Sequence, residues 1–192
     1  MLSFLVIYGT GEGQTEKVAA RLVEAIEDRG HDARAVNVRD RPSERDVEAS
    51  DAVIVGSSIH VGKHGRKVRK FVRNHRDALA AKPTAFFQVS LSSSTEEGAE
   101  EAAKYVDEFV ESTGWHPDRI GLFGGALRFS KYGFIKSLMM KRIVAGSMPD
   151  VDPSTDTEFT DWDEVDAFAA DVAAFVEGRL GVSPPERPGS GP

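Results

Sequence analysis

The chain has 192 residues, of which 40% are hydrophobic and 29% are charged, and its formal net charge is −7. This composition suits one globular domain and gives no reason to expect a nucleic-acid partner. The sequence contains no cysteine, which excludes disulfides, thiolate metal sites and iron–sulfur clusters, so redox chemistry would need a bound organic cofactor. No secretory leader and no apolar run of bilayer length is recognisable, which predicts a cytoplasmic location.

A glycine-rich turn follows the first apolar segment. Residues 2–7 predict a strand, and the apolar spacing after Gly13 predicts a helix. Glycines in the turn let main-chain N–H groups converge on an anion at the helix N-terminus. The turn has neither the lysine of a P-loop nor the glycine spacing of a dinucleotide-binding loop. The sequence favours one phosphate bound by uncharged donors, with an ordinary capped turn as the alternative; the residues are Thr10, Gly11, Glu12, Gly13, Gln14 and Thr15.

Strands and helices are predicted to alternate along the rest of the chain. A basic helix is expected after residue 62, an acidic helix at about 95–112 and a last amphipathic helix after residue 161. This alternation predicts an α/β fold with a doubly wound parallel sheet. Ligands of such sheets bind at the carboxyl ends of the strands. We therefore expect the loops predicted at 57–62 and 90–94 to share one edge with the glycine-rich turn.

A basic segment precedes the last helix. From Arg119 to Pro149 there are six Lys and Arg residues and no Asp or Glu, and apolar residues recur at helical spacing. Such a helix suits an anionic membrane surface, a flat apolar ligand, or simple packing on the domain. The sequence thus predicts a single domain at 1–182 with an inserted basic helical segment at about 126–161. The Pro/Gly/Ser-rich residues 183–192 predict a disordered tail.

Several blocks of the sequence resemble known families. YGTGEGQTEKVA at 8–19 resembles the FMN-phosphate loop of flavodoxins. GWHPDRIGLFGGALRFSKYGFIKSLMMKRIVAG at 114–146 and TDWDEVDAFA at 160–169 are similar to blocks of the menaquinone-dependent protoporphyrinogen IX dehydrogenases. The resemblance implies a flavodoxin-like five-stranded sheet of order 2-1-3-4-5 and bound FMN. It also implies oxidation of protoporphyrinogen IX to protoporphyrin IX in heme biosynthesis, with electrons passed to menaquinone or another membrane quinone.

The same resemblance assigns roles to individual residues. The turn at 10–15 would bind the FMN phosphate, with the N–H rather than the carboxylate of Glu12 facing it. The isoalloxazine ring would be flanked by Ser58, Ile59, His60 and Val61, and its pyrimidine edge approached by Ser90, Leu91, Ser92 and Ser93. The expected contacts with tetrapyrrole carboxylates or lipid headgroups are Arg128, Lys131 and Lys136, with peripheral membrane contact through 128–146.

Because the flavin would carry the chemistry, no catalytic side chain and no metal ligand is expected. The alternative function is that of a flavodoxin-type FMN electron carrier, whose acidic surface would dock protein redox partners. The two hypotheses differ in whether a small-molecule donor reduces the flavin directly.

Overall fold

The computed structural model describes residues 1–128, 152 and 155–183. Within these ranges the strands are β1 (Ser3–Gly9), β2 (Asp32–Asn37), β3 (Ala52–His60), β4 (Lys63–His64), β5 (Thr84–Ser90), β6 (Arg119–Gly124), β7 (Ala126–Leu127) and β8 (Thr157–Glu158). The helices are α1 (Gln14–Asp28), α2 (Glu44–Glu48), α3 (Arg66–Asn74), α4 (Arg76–Ala80), α5 (Ala99–Thr113) and α6 (Trp162–Leu180). Single 3-10 turns span Val38–Asp40 and Ser92–Ser94.

The central sheet is parallel, with the strand order β2-β1-β3-β5-β6. When the two-residue β4, which pairs antiparallel with the end of β3, is left out of the count, this is the predicted order 2-1-3-4-5. The flavodoxin-like fold is therefore confirmed. A separate antiparallel pair joins β7 to β8. It could not be predicted from apolar periodicity because each strand has only two residues.

Each strand buries alternate side chains on opposite faces of the sheet, as the period of two requires. Val6, Ile54 and Phe87 belong to one apolar cluster together with residues of α1 and α6. Leu5 and Val53 belong to a second cluster, which includes residues of α3 and α5. Because both faces are covered, the central strands are apolar throughout, as is usual in parallel sheets. Trp115 is 1% exposed and belongs to the second cluster.

The prediction of a loop at 57–62 is wrong. Strand β3 continues to His60, the chain turns at Val61 and Gly62, and β4 returns with Lys63 opposite His60. The turn residues have φ angles of 49° and 70°, so both lie in the left-handed region that two-residue hairpins require. The hairpin could not be predicted from the sequence because valine rarely adopts left-handed backbone angles. We call residues 57–64 the hairpin.

Only part of the predicted insert lies in the described ranges. Residues 126–128 and 155–161 flank the gap and contain β7 and β8. The helix predicted within 128–146, with Lys131 and Lys136, and the tail from 184 lie outside the described residues. Among the helices that are described, none is both long and apolar enough to cross a membrane.

Candidate cofactor-binding site

The glycine-rich turn forms an open helix N-terminus. Gly13 is the N-cap of α1, with φ 99°, and no side chain caps the helix there. The Thr10 hydroxyl oxygen accepts the N–H of Gly13 at 2.8 Å, which fixes the turn. The Lys17 N–H donates to the Gly13 carbonyl at 3.2 Å. The N–H groups of residues 14–16 therefore lie in the first turn, where no intrahelical acceptor is available, and they can meet an anion.

The Thr15 side chain adds a hydroxyl donor to this turn. Thr15 is 1% exposed, and its Oγ1 has no hydrogen-bond partner among the described residues. A buried hydroxyl without a partner is costly, so its presence indicates a ligand that accepts this hydrogen bond. The main-chain N–H groups of the first helical turn and the buried Thr15 hydroxyl lie together at this helix N-terminus, and they fit a phosphate monoester.

Gln14 connects the turn to a distant part of the chain. It is 5% exposed, its Nε2 donates to Thr160 Oγ1 at 2.8 Å, and its Oε1 accepts from Arg128 at 2.9 Å. The Thr160 hydroxyl donates to the Gly124 carbonyl at 2.6 Å, and Arg128 pairs with Glu158 at 3.2 Å. The structure thus places Arg128 beside the glycine-rich turn. Its predicted contact with a tetrapyrrole stays a prediction.

Two carboxyl groups lie near the turn. Glu12 is half-buried, and its predicted orientation toward solvent stays a prediction. Glu16 accepts a hydrogen bond from the Tyr8 hydroxyl at 3.1 Å, and burial together with this contact raises the pKa of Tyr8. Tyr8 therefore holds the Glu16 carboxylate at a defined position in the first turn of α1.

The hairpin reaches over the glycine-rich turn. A Cβ atom added at Gly11 would lie 3.2 Å from His60 Nε2, so the imidazole sits directly against this glycine. Ser57 fixes the return of the hairpin, because its Oγ accepts the N–H of Gly65 at 3.2 Å. Val61, at the tip, is 94% exposed. The structure therefore brings the predicted residues 58–61 to the edge formed by 10–15.

The serine-rich loop after β5 is organised around Ser90. The Oγ atoms of Ser90 and Ser93 are 2.7 Å apart, and the Ser93 N–H donates to Ser90 Oγ at 3.1 Å. The Gly125 N–H donates to the Ser90 carbonyl at 2.9 Å, which joins the loop to the end of β6. Ser92 instead donates its hydroxyl to Glu101 of α5. The Ser94 Oγ is buried without a partner among the described residues, which makes Ser94 a candidate that the sequence did not identify.

A buried histidine lies at the base of the hairpin. His64 is 5% exposed and packs edge-on against Phe86 and Phe109, with ring centroids 5.3 and 4.8 Å away. Burial lowers the pKa of His64 to about 4, so its imidazole is neutral at physiological pH. His64 therefore fits the apolar base of the hairpin as a neutral imidazole, and protonation would be unfavourable there.

Comparison with known proteins extends these observations. The flavodoxin domain matches residues 5–154. The chain belongs to the flavodoxin family. Protoporphyrinogen IX dehydrogenase [quinone] of Escherichia coli (strain K12) is 31% identical over 174 residues, which cover 90% of this chain and 96% of that protein. The protein of the same name from Leishmania major is 27% identical, over 89% of this chain and 74% of the relative.

Solved structures agree on the fold. A short-chain flavodoxin associated with a bacterial microcompartment has a TM-score of 0.58 at 14% identity, covering 92% of this chain and 99% of that one. A flavodoxin from the domain Archaea has a TM-score of 0.54 at 18% identity, with coverage of 92% and 99%. The flavodoxin domain points to FMN as the cofactor, and the donors at 10–15 fit its phosphate.

Proposed function

We propose that this chain is an FMN-dependent dehydrogenase that oxidises protoporphyrinogen IX to protoporphyrin IX and passes the electrons to a quinone. The observation that carries the proposal is the 31% identity to the Escherichia coli enzyme of that name over 90% of this chain and 96% of the relative. A match of this extent includes the insert and the entry to α6 as well as the flavin-binding half. It therefore concerns the whole enzyme rather than a shared cofactor domain.

The described residues support the cofactor part of this proposal. The N–H groups of residues 14–16 and the Thr15 hydroxyl would hold the FMN phosphate without a cationic side chain in the turn. Thr10 and Gly13 keep the turn in shape, while Gln14 ties it to Thr160. Because these donors are fixed by packing and hydrogen bonds before the ligand arrives, little conformational entropy is lost on binding.

The hairpin and the serine-rich loop would hold the two sides of the ring system. His60 already lies against Gly11, and Ser90 holds its loop to Gly125 through a main-chain hydrogen bond. FMN, when bound, supplies the acceptor of hydrogen from the tetrapyrrole and the donor of electrons to the quinone. The task of the chain is to position this group and to present its exposed edge. Arg128, Lys131 and Lys136 are proposed to contact the propionates of the tetrapyrrole or the lipid surface.

A stopped-flow experiment tests the proposal. The FMN-loaded protein is mixed under anaerobic conditions with protoporphyrinogen IX, and flavin absorbance and porphyrin fluorescence are followed together. The conversion removes six electrons and each FMN accepts two, so the protein is supplied at three or more flavins per tetrapyrrole. We then expect the flavin to be reduced as porphyrin fluorescence rises, and to be reoxidised when a soluble menaquinone analogue is added. Flavin that stays oxidised in the presence of the tetrapyrrole would contradict the proposed enzyme.

The same experiment distinguishes the electron-carrier alternative. A carrier would be reduced by a flavodoxin reductase and reoxidised by a protein acceptor, but it would not respond to the tetrapyrrole. The fold agrees with this alternative, because both solved flavodoxins share it. The match over the whole length to relatives named as dehydrogenases favours the enzyme.

A further inference from the structure

Helix α3 carries cations that the fold does not use. Between Asp51 and Asp77 the sequence has seven Lys and Arg residues and no Asp or Glu, although the formal net charge of the chain is −7. Val68, Phe71 and Val72 form the buried face of α3. Arg66, Lys67, Lys70 and Arg73 are exposed. They lie away from the buried face, whereas Arg69 is half-buried. We call these four exposed cations the basic face.

The exposed members of the basic face have no carboxylate partner. In the described part of the chain none of the four forms an ion pair, whereas Lys17, Arg21 and Arg34 each do. Lys67 and Lys70 are three residues apart, and Arg66 and Lys70 are four apart, so these like charges repel one another. The first turn of α3 contains no acidic residue, so two cations also face the positive end of the helix dipole.

These features weaken α3 as an isolated element. The helix depends on its apolar face for stability, and the arrangement of its charges is unfavourable within the protein itself. An anionic partner would reverse both effects, because it would neutralise the repulsion between the cations and favour the positive helix end. The charge pattern therefore indicates an anionic surface as the partner of this face.

The hairpin places an apolar side chain next to the basic face. Val61 is 94% exposed at the hairpin tip, and only residues 62–65 separate it from α3. Its φ of 49° is a strained conformation for a β-branched residue. An exposed apolar side chain gains free energy when it leaves water, as it does on entering the acyl region of a bilayer. Cations beside an exposed apolar tip match the boundary between anionic headgroups and acyl chains of a bilayer.

We infer that the basic face and Val61 together form a docking surface for anionic phospholipid membranes. This surface is distinct from the predicted lipid contact through 128–146, and it does not depend on the reaction proposed above. Since His60 of the same hairpin covers Gly11, docking here would bring the edge of the cofactor site to the lipid surface. A lipid-soluble electron acceptor would then be within reach.

Vesicle sedimentation tests this inference with the full FMN-loaded chain. Phosphatidylglycerol/phosphatidylcholine vesicles are compared with pure phosphatidylcholine vesicles at low and high salt. We expect binding only to the anionic vesicles, with a strong decrease at high salt. Lys67→Glu with Lys70→Glu should lower the affinity by at least about tenfold, because each cation near such a surface contributes severalfold. The control variant, Arg45→Glu with Lys104→Glu, changes the net charge by the same amount at exposed sites on other helices. It should lower the affinity for anionic vesicles less than about twofold.

A second variant tests the apolar tip. Val61→Asn suits the left-handed backbone but removes the apolar side chain, so it should lower vesicle affinity severalfold without loss of folding. Unchanged binding of the α3 double variant, equal losses in the control variant, or equal binding to both types of vesicle would each overturn the inference. Loss of binding only in Lys131→Glu with Lys136→Glu would assign the contact to the other basic segment. Binding to an acidic protein without binding to vesicles would also contradict it.

Discussion

At the amino end of the sheet, the polar groups around Glu177 form a closed set of hydrogen bonds, whereas at the carboxyl end two buried hydroxyls have no partner among the described residues. The His31 Nδ1 accepts the N–H of Leu2 at 3.3 Å, and its Nε2 donates to Glu177 at 2.8 Å. Arg29 contacts both oxygens of Glu177 at 2.7 Å. At the opposite end, the buried hydroxyls of Thr15 and Ser94 have no partner among the described residues. We call the set around Glu177 the amino-end latch.

The difference separates residues that serve folding from residues that serve binding. The latch connects the C-terminal turns of α1 and α6 to the start of β1, and it needs nothing from outside the chain. The glycine-rich turn has a buried hydroxyl that no described residue satisfies and that a bound phosphate can satisfy. Substitutions at the two ends should therefore have opposite consequences, and the following experiments test this contrast.

The largest effect on stability is expected for Glu177→Ala. This change leaves Arg29 and the buried His31 without their common acceptor, and removing one partner of a buried charged set costs about 3–5 kcal/mol. Chemical denaturation should show this loss, while the FMN affinity of the folded fraction should stay unchanged. Glu111→Ala, which removes an exposed carboxylate, should change the free energy of unfolding by less than about 0.5 kcal/mol. Loss of FMN affinity in folded Glu177→Ala would contradict the separation of the two ends.

Thr15→Val should have the opposite pattern. Removal of a hydroxyl that donates to a charged ligand lowers affinity by about 1.5–3 kcal/mol, which corresponds to roughly 10- to 100-fold weaker FMN binding. The free energy of unfolding without FMN should stay the same or rise, because an unpartnered buried hydroxyl has been removed. Fluorescence titration with FMN measures the first quantity and urea denaturation the second. Thr15→Ser keeps the hydroxyl and should bind within a few fold of wild type.

The stability of the hairpin base should depend on pH. His64 has a pKa of about 4 in the folded chain and about 6.5 in the unfolded chain, so the unfolded state binds more protons between these values. The free energy of unfolding should therefore fall as the pH decreases from 7, by about 2 kcal/mol at pH 5. His64→Phe should flatten this dependence, whereas His116→Ala, at an exposed position, should retain it. If the free energy of unfolding of His64→Phe fell with pH as steeply as that of the wild type, the pH dependence would come from another group.

The amino-end latch should lose its contribution to stability at a lower pH than His64 does. Hydrogen bonds from Arg29 lower the pKa of Glu177, so its contribution to stability is complete above the ordinary carboxyl pKa and is lost as the pH falls through the lowered value. This loss comes after that of His64 as the pH falls, so the two ends of the sheet should be separable in one titration. Glu177→Gln should reduce this more acidic loss of stability without removing it, because Glu101 and Asp166 also have lowered pKa values. An undiminished loss in that variant would contradict the assignment to the latch.

The smallest effect is expected for Gln14→Leu. It removes the bonds to Thr160 and Arg128 but none of the proposed phosphate donors, so FMN affinity should fall only a few fold. Thr160→Val breaks the bond from Gln14 and also the bond to the Gly124 carbonyl, and it should lower FMN affinity by a similar few-fold factor. An affinity loss as large as that of Thr15→Val would mean that Gln14 contacts the phosphate itself.

The sequence predicted the sheet and the glycine-rich turn because both have local signals. Apolar runs of strand length and the spacing after Gly13 depend on neighbouring residues alone. The Gln14–Arg128 contact joins residues 114 positions apart, and no periodicity predicts such a pair. The hairpin was missed because its turn uses Val61 where asparagine or glycine would have given the signal. Ser94 was missed because its burial depends on how its loop packs against β6.

The most direct test of the account compares the affinities of the wild-type chain for FMN and riboflavin, which differ only in the phosphate. Binding is followed by quenching of flavin fluorescence at constant salt. If the turn at 10–15 holds the phosphate, FMN should bind at least about 100-fold more tightly than riboflavin, because several charge-assisted hydrogen bonds are lost without it. Equal affinity for the two flavins would contradict the account.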